Sequence, residues 1–312
     1  DSDIRVNLAV SGELTMRIWS GRFAHLADAD FLGYAAERDA VKMRLAASGH
    51  TDRGPTFEHG YTKLYADGVL STYTALMKRP YSDRPEVDPE AIMNEDLLLR
   101  RVKESHEQGF PVAIHAIGDR GVQMSLDAFE EAGHPEGMLP DRIEHIEVAT
   151  PDDVARFKSL GIAASMQPIH ATCCVGDYVM SRVGEERIPN VYSWRRMLDH
   201  GVHLSLSSDW STSPLNPLEH IAMAMKRETN IDGTMSRWDD ARQALTFEEA
   251  LYAYTQSSAD LTPWGDQIGS ITIGKWADFV IMDTKIDVSD ADSVVAANVL
   301  STYLAGETIY QK

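Results

Sequence analysis

Residues 141–168 read DRIEHIEVATPDDVARFKSLGIAASMQP, and the fold is decided there. Arg142 to Val148 is a short, apolar-rich run suited to a strand. Thr150-Pro151-Asp152-Asp153 then opens a helix on three agreeing signals. A hydroxyl can cap the end, proline suits the first helical position, and carboxylates favour the positive end of the helix. Val154, Phe157 and Leu160 supply an apolar stripe, Gly161 ends the helix, and Ile162 to Met166 reads as the next strand. Strand, helix and strand in such close succession imply a right-handed βαβ unit, and so a parallel sheet.

The same rhythm extends in both directions. Pro111 to Ala116 (PVAIHA) is a compact apolar run suited to a strand buried on both faces. A helix from Asn94 to Gln108 precedes it and another from Arg120 to Ala132 follows, closed by Gly109 and Gly133. Ser193 to Asp199 reads as a short helix, Val202 to Ser208 as a strand, and Thr246-Phe247-Glu248-Glu249 as a capping box opening a helix through Tyr254. At least five strand–helix units are expected between Tyr61 and Glu228, and a further strand at Ile4 to Leu14 with its helix near Ala27 to Ala47. That is too few for a closed eight-stranded barrel, but consistent with most of one. After Leu261 the pattern changes to short β-rich runs, Asp278 to Met282 and Val299 to Tyr303, between glycine turns. The expected fold is α/β: a (β/α)8 TIM-type barrel, incomplete at its N-terminus, over residues 1–265, with the C-terminal part of a small β-sandwich over 266–312.

A net charge of −19 disfavours a nucleic-acid or anionic-membrane surface, because phosphates attract basic patches. No apolar run approaches the roughly 18 residues that span a bilayer. The two cysteines, Cys173 and Cys174, are adjacent, so they make no disulfide framework and read as loop structure. A small-molecule substrate in the cytoplasm, with no nucleic-acid or membrane partner, is the expectation.

In an α/β barrel the chemistry belongs at the carboxyl ends of the strands. Four polar residues fall there, each on a different strand: Lys63 in YTKLYADG, His115 in PVAIHAIGD, His145 in DRIEHIEVA and Asp209 in HLSLSSDW. Along the last of these, Val202, Leu204 and Leu206 share one face, and His203, Ser205, Ser207 and Asp209 the other. Taken singly, a strand histidine is usually a hydrogen-bonded structural residue and an aspartate after Ser-Ser a helix cap. All four at strand ends read as a site. Imidazole and carboxylate suit zinc or manganese, and a desolvated lysine readily loses its charge. Gln167, His170, Trp210 and Tyr73 are candidates for touching a substrate, and Glu144 is expected on the strand face opposite His145, paired with a helix arginine.

The segments carrying these residues resemble the amidohydrolase superfamily, in its amidohydrolase-3 branch of YtcJ-like proteins and N-substituted formamide deformylases. They are IHAIGDRG (114–121), the stretch 141–168, WRRMLDHGVHLSLSSDW (194–210), TFEEALYAYT (246–255) and GSITIGKWADFVIMD (269–283). The resemblance implies a metal-dependent hydrolase of C–N bonds in N-acyl or N-formyl amides. Hydrolases of esters or cyclic amides share the fold, and a catalytically incompetent metal-binding fragment is a third reading. In the family's scheme Lys63, His115, His145 and Asp209 are metal ligands, Lys63 is carbamylated in many members, and Asp209 is the general base for a metal-activated water. Zinc is the default ion, one or two per site, with manganese or iron also suitable, and a homodimer is expected. The family also has a His-x-His pair on its first strand, and none occurs in this chain. The expectation is that an N-terminal β-segment and the first two barrel strands were lost before Asp1, leaving ligands for at most one complete metal.

Overall fold

The computed structural model describes residues 2–25, 28–171, 176–231, 234–237 and 243–312. In chain order the first half runs α1 (Ser2–Ser11), β1 (Arg17–Phe23), α2 (Phe31–Ala47), β2 (Thr56–Tyr65), α3 (Glu95–Glu107), β3 (Val112–Ala116) and α4 (Asp119–Ala132). The middle runs β4 (Arg142–His145), α5 (Pro151–Leu160), β5 (Ala163–Met166), α6 (Gly176–Val183), α7 (Trp194–Asp199) and β6 (Leu204–Leu206). Then come α8 (Pro217–Lys226), the hairpin β7 (Glu228–Ile231) and β8 (Thr234–Arg237), α9 (Phe247–Tyr254) and α10 (Gln256–Ala259). The chain ends with β9 (Phe279–Met282), α11 (Ala291–Ala296), β10 (Val299–Leu304) and β11 (Glu307–Gln311).

Strands β1 to β6 lie side by side in chain order, all parallel, as a curled part-barrel. The helices between them supply its outer layer. Val154 and Phe157 of α5, Leu98 and Val102 of α3, and Val122, Leu126 and Phe129 of α4 are buried in one continuous core. The local signals act as read from the sequence: the Thr150 hydroxyl accepts from Asp153 N–H, Pro151 opens α5, and Gly161 closes it in a left-handed conformation. The capping box at Thr246 and Glu249 opens α9.

The N-terminal unit differs from expectation. Residues 4–14 do not form a strand: Ser2–Ser11 is helical, and the strand falls at Arg17–Phe23. The buried residues of α1, Val6 and Ala9, are three apart, a helical rather than an alternating spacing. The helix expected near Ala27 to Ala47 is α2, capped by Asp30.

Register places the functional layer. Tyr65 pairs with His115, His115 with Glu144, Glu144 with Ser165, and Ser165 with Ser205, so one level of the sheet carries polar side chains across five strands. Strand β6 ends the sheet among the described residues, yet its outer edge is not bare. The hydroxyls of Ser257 and Ser258 on α10 donate to the carbonyls of Leu204 (2.7 Å) and Leu206 (3.2 Å). These backbone groups would otherwise be an open template for another strand. The C-terminal strands form a separate antiparallel sheet, in the order β11-β10-β9. It is joined to β1 by an ion pair from Arg17 to Asp278, with the Arg17 guanidinium 4.7 Å above the Trp276 ring. Among the described residues no helix is long and apolar enough to cross a membrane.

Candidate metal centre

At the carboxyl ends of β2 to β6 lies a cavity of about 580 Å³, walled by Lys63, Tyr65, His115, Glu144, His145, Glu147, Gln167, His170, Ser207 and Asp209 among others. The volume suits a small molecule. His145 ends β4 with φ at 80° and Ile146 follows at 50°; Asp209, beyond β6, lies at 53°. Non-glycine residues pay conformational energy in this left-handed region, and such positions concentrate where function fixes a side chain. By simple alternation His145 and Glu144 would face opposite ways. The left-handed turn instead brings the His145 ring over the same cavity that Glu144 enters.

His145, His170 and Asp209 each offer one ligand atom, all within 4.8 Å of one another. His170 sits in a short turn, Pro168–Ala171, directly after β5. Its Nε2 is buried without a hydrogen-bond partner, 3.6 Å from Asp209 Oδ2. Its Nδ1 lies 3.7 Å from Glu147 Oε1. The Gln167 amide organises the neighbour: its Oε1 accepts from His145 Nδ1 at 2.9 Å while its Nε2 donates to Ser207 Oγ at 2.9 Å. The proton of His145 is thereby held on Nδ1, which leaves Nε2 as the free lone pair.

His115 stands beside this group, its ring centroid 4.5 Å from that of His145. Its Nε2 donates to the Gly68 carbonyl at 2.9 Å, so its Nδ1 carries the lone pair. Burial, opposed by that hydrogen bond and reinforced by Lys63 and His170, lowers His115 to about 4. Burial and the neighbouring His115 and Lys63 hold His145 well below the usual histidine value. Both rings are therefore neutral at neutral pH, the form that binds metal. Lys63, half-buried, lines the same cavity, its Nζ 5.3 Å from the centre of the Tyr65 ring. Burial lowers its amine to about 8 against the pull of Glu144 and Asp209. For Glu144 burial pushes the carboxyl up, but Arg142 and Lys63 together hold it below its ordinary value.

The expected residues divide as follows. Lys63, His115, His145, Gln167, His170 and Asp209 line one cavity. His170, read from sequence as a substrate contact, lines the cavity and also lies with His145 and Asp209 in one group of possible ligand atoms. Tyr73 and Trp210 stand outside the lining. The Tyr73 hydroxyl donates to Asp83, and Arg84 and Arg182 stack on its ring, while Trp210 is 68% exposed. Glu144 does not pair with a helix arginine; it bonds Arg142 on its own strand at 2.6 Å and faces the cavity, because its register partner His115 does so. His203 and Ser205 reach Ser257 and Ser258 on α10, so only Ser207 and Asp209 of that row meet the cavity. Cys173 and Cys174 lie outside the described residues. His25, just after β1, packs its ring 5.0 Å from the cavity-lining Tyr65, with its Nδ1 buried without a partner, but does not itself line the cavity. The rule of strand ends would have found it had β1 been placed at residues 17–23.

The amidohydrolase family model matches residues 2–310. The chain belongs to the amidohydrolase family. YtcJ of Bacillus subtilis is 29% identical to this chain over 259 residues, covering 83% of the chain and 48% of the relative. An N-substituted formamide deformylase of Arthrobacter pascens is 29% identical over 220 residues, 70% of the chain and 39% of the relative. The chain thus spans about half or less of the length of these curated relatives. Among solved structures, an uncharacterized metal-dependent hydrolase from Pyrococcus horikoshii superposes with a TM-score of 0.73 at 27% identity, over 97% of this chain and 55% of that one.

Proposed function

We propose that this cavity is the centre of a metal-dependent hydrolase acting on the C–N bond of a non-peptide amide, an N-acyl or N-formyl compound. The observation that carries the reading is the convergence of His145, His170 and Asp209 within 4.8 Å, with His170 Nε2 buried and unpartnered. A buried nitrogen without a partner is costly unless something occupies it. These three groups would hold a divalent ion, zinc first, with manganese or iron also suited to the donor set. When bound, the ion supplies Lewis acidity toward a carbonyl and a water made acidic enough to attack at neutral pH.

The chain's own residues do the rest. Asp209, 38% exposed at the cavity mouth, takes the proton of the attacking water and hands it to the departing nitrogen. Gln167 keeps His145 Nε2 presented, and Glu147 stands within ion-pair distance of the other face of His170. Lys63 is the group that carbamylation would convert into a carboxylate facing the same space; its lowered amine makes the neutral, reactive form accessible. The family match, the deformylase relative and the metal-dependent hydrolase of P. horikoshii support this reading.

The test is product formation by the zinc-loaded chain from a panel of substrates: free amine from N-formyl and N-acyl amines, alcohol from esters and the ring-opened amino acid from cyclic amides. We expect turnover of the open-chain amides, reduced at least about 100-fold per bound metal in Asp209→Asn, whose metal content is measured alongside because Asp209 is also a ligand. Preference for esters or cyclic amides would replace the substrate class. Metal binding without turnover on any substrate would leave a metal-binding fragment of such an enzyme.

A further inference from the structure

At the opposite end of β4 from His145, a second cluster of ligating groups gathers around one buried carboxylate. Asp141, 1% exposed, precedes the first residue of β4. His106, in the last turn of α3, places Nε2 3.1 Å from both Asp141 oxygens. His134, just past the end of α4, places Nδ1 3.0 Å from Oδ2. The three ligand atoms lie within 4.8 Å of one another. We propose that His106, His134 and Asp141 form a second divalent-cation site, of zinc type, that fastens the ends of α3 and α4 to the start of β4.

Three features argue for it. A tetrahedral zinc site with ligands at about 2.0–2.1 Å has ligand-to-ligand edges of about 3.3 Å, close to the 3.0–3.1 Å that separates each imidazole nitrogen from Asp141. The outer contacts are already those of a metal site. His134 Nε2 is 3.2 Å from the Met138 carbonyl, which can only accept, so Nε2 carries a hydrogen and Nδ1 is the nitrogen to offer an ion. Asp141 Oδ1 is fixed by the backbone N–H of Val112 at 2.7 Å. Without an ion, both imidazoles must donate to one carboxylate, and His134 must then hold a proton on each nitrogen. With an ion, His134 needs only its Nε2 hydrogen, which the Met138 carbonyl accepts. Access exists as well: a cavity of about 440 Å³, walled by Lys103, His106, Glu107, Gly133, His134 and Pro135, reaches both imidazoles.

The experiment separates this site from the first by stoichiometry. In a His145→Ala, His170→Ala background, zinc is added, excess is dialysed away and bound metal is measured, with cobalt as a spectroscopic stand-in. We expect about one retained equivalent, giving the visible absorption of four-coordinate cobalt, and its loss on adding His134→Gln. Gln keeps a donor for Asp141, and circular dichroism checks that this variant remains folded. A folded background protein that retains no metal overturns the proposal without touching His134. So does metal that persists unchanged in His134→Gln. Neither result bears on the cavity at the strand ends, which is read by the difference between the parent and its double-alanine background.

Discussion

At the scale of single residues, Gln167 shows how a side chain can act through another. It touches His145 with one amide atom and Ser207 with the other, and so fixes the ring that would meet a metal. Gln167→Ala is expected to weaken zinc binding by about 10–100-fold while leaving the fold intact, measured by competition with a chromogenic chelator. Unchanged affinity would show that His145 is oriented by packing alone. Much of this site was legible in the sequence, because His115, His145 and Asp209 each follow an apolar run whose end is visible in the residues. What escaped was set by backbone angle and register. Alternation cannot reveal that His145 turns at a φ of 80°, nor that Glu144 shares the cavity with it. His170 gave no strand signal, since it stands in a turn beyond β5.

At the scale of elements, the ends of β2 and β3 are tied together by one carboxylate. Asp67 accepts from the backbone N–H groups of Ile117, Gly118 and Leu76, each at 2.9 Å, and burial raises its carboxyl to about 7 despite these bonds. Gly118 is packed so closely in this knot that an added Cβ would lie 2.0 Å from the Leu76 carbonyl oxygen. Backbone cannot swing aside as a side chain can, so Gly118→Ala should destabilise by about 3 kcal/mol or more, read from the urea midpoint. A shift under about 1 kcal/mol would mean that the loop carrying Leu76 yields freely. The helices with capping signals, α5 and α9, were readable because their ends announce themselves in sequence. The strand β1 was not, because the apolar run before it has a helix's spacing and becomes α1.

At the scale of the whole molecule, stability is coupled to pH through buried histidines, His115 and His145 at the cavity and His59 far from it. His59 on β2 is 2% exposed and faces Arg22, Arg5 and Glu37, the last 3.3 Å from Nε2 but already paired with Arg22. Burial first, then the Arg22 and Arg5 guanidiniums, lower it from 6.5 to about 4. The unfolded chain therefore binds a proton between these values that the folded chain refuses, and folding stability rises with pH across that window. This contribution is full above about 6.5 and lost as pH falls toward about 4. His59→Gln should flatten the dependence of the urea midpoint on pH in that range; an unaltered slope would assign the acid sensitivity elsewhere. The three left-handed residues at the cavity, His145, Ile146 and Asp209, bear on any attempt to breed this chain for heat resistance. Each gives up about 1–3 kcal/mol that glycine would recover, so a screen that scores survival alone should collect substitutions there first. The hardiest descendants of such a screen would be the ones whose cavity had lost the geometry proposed to hold a metal.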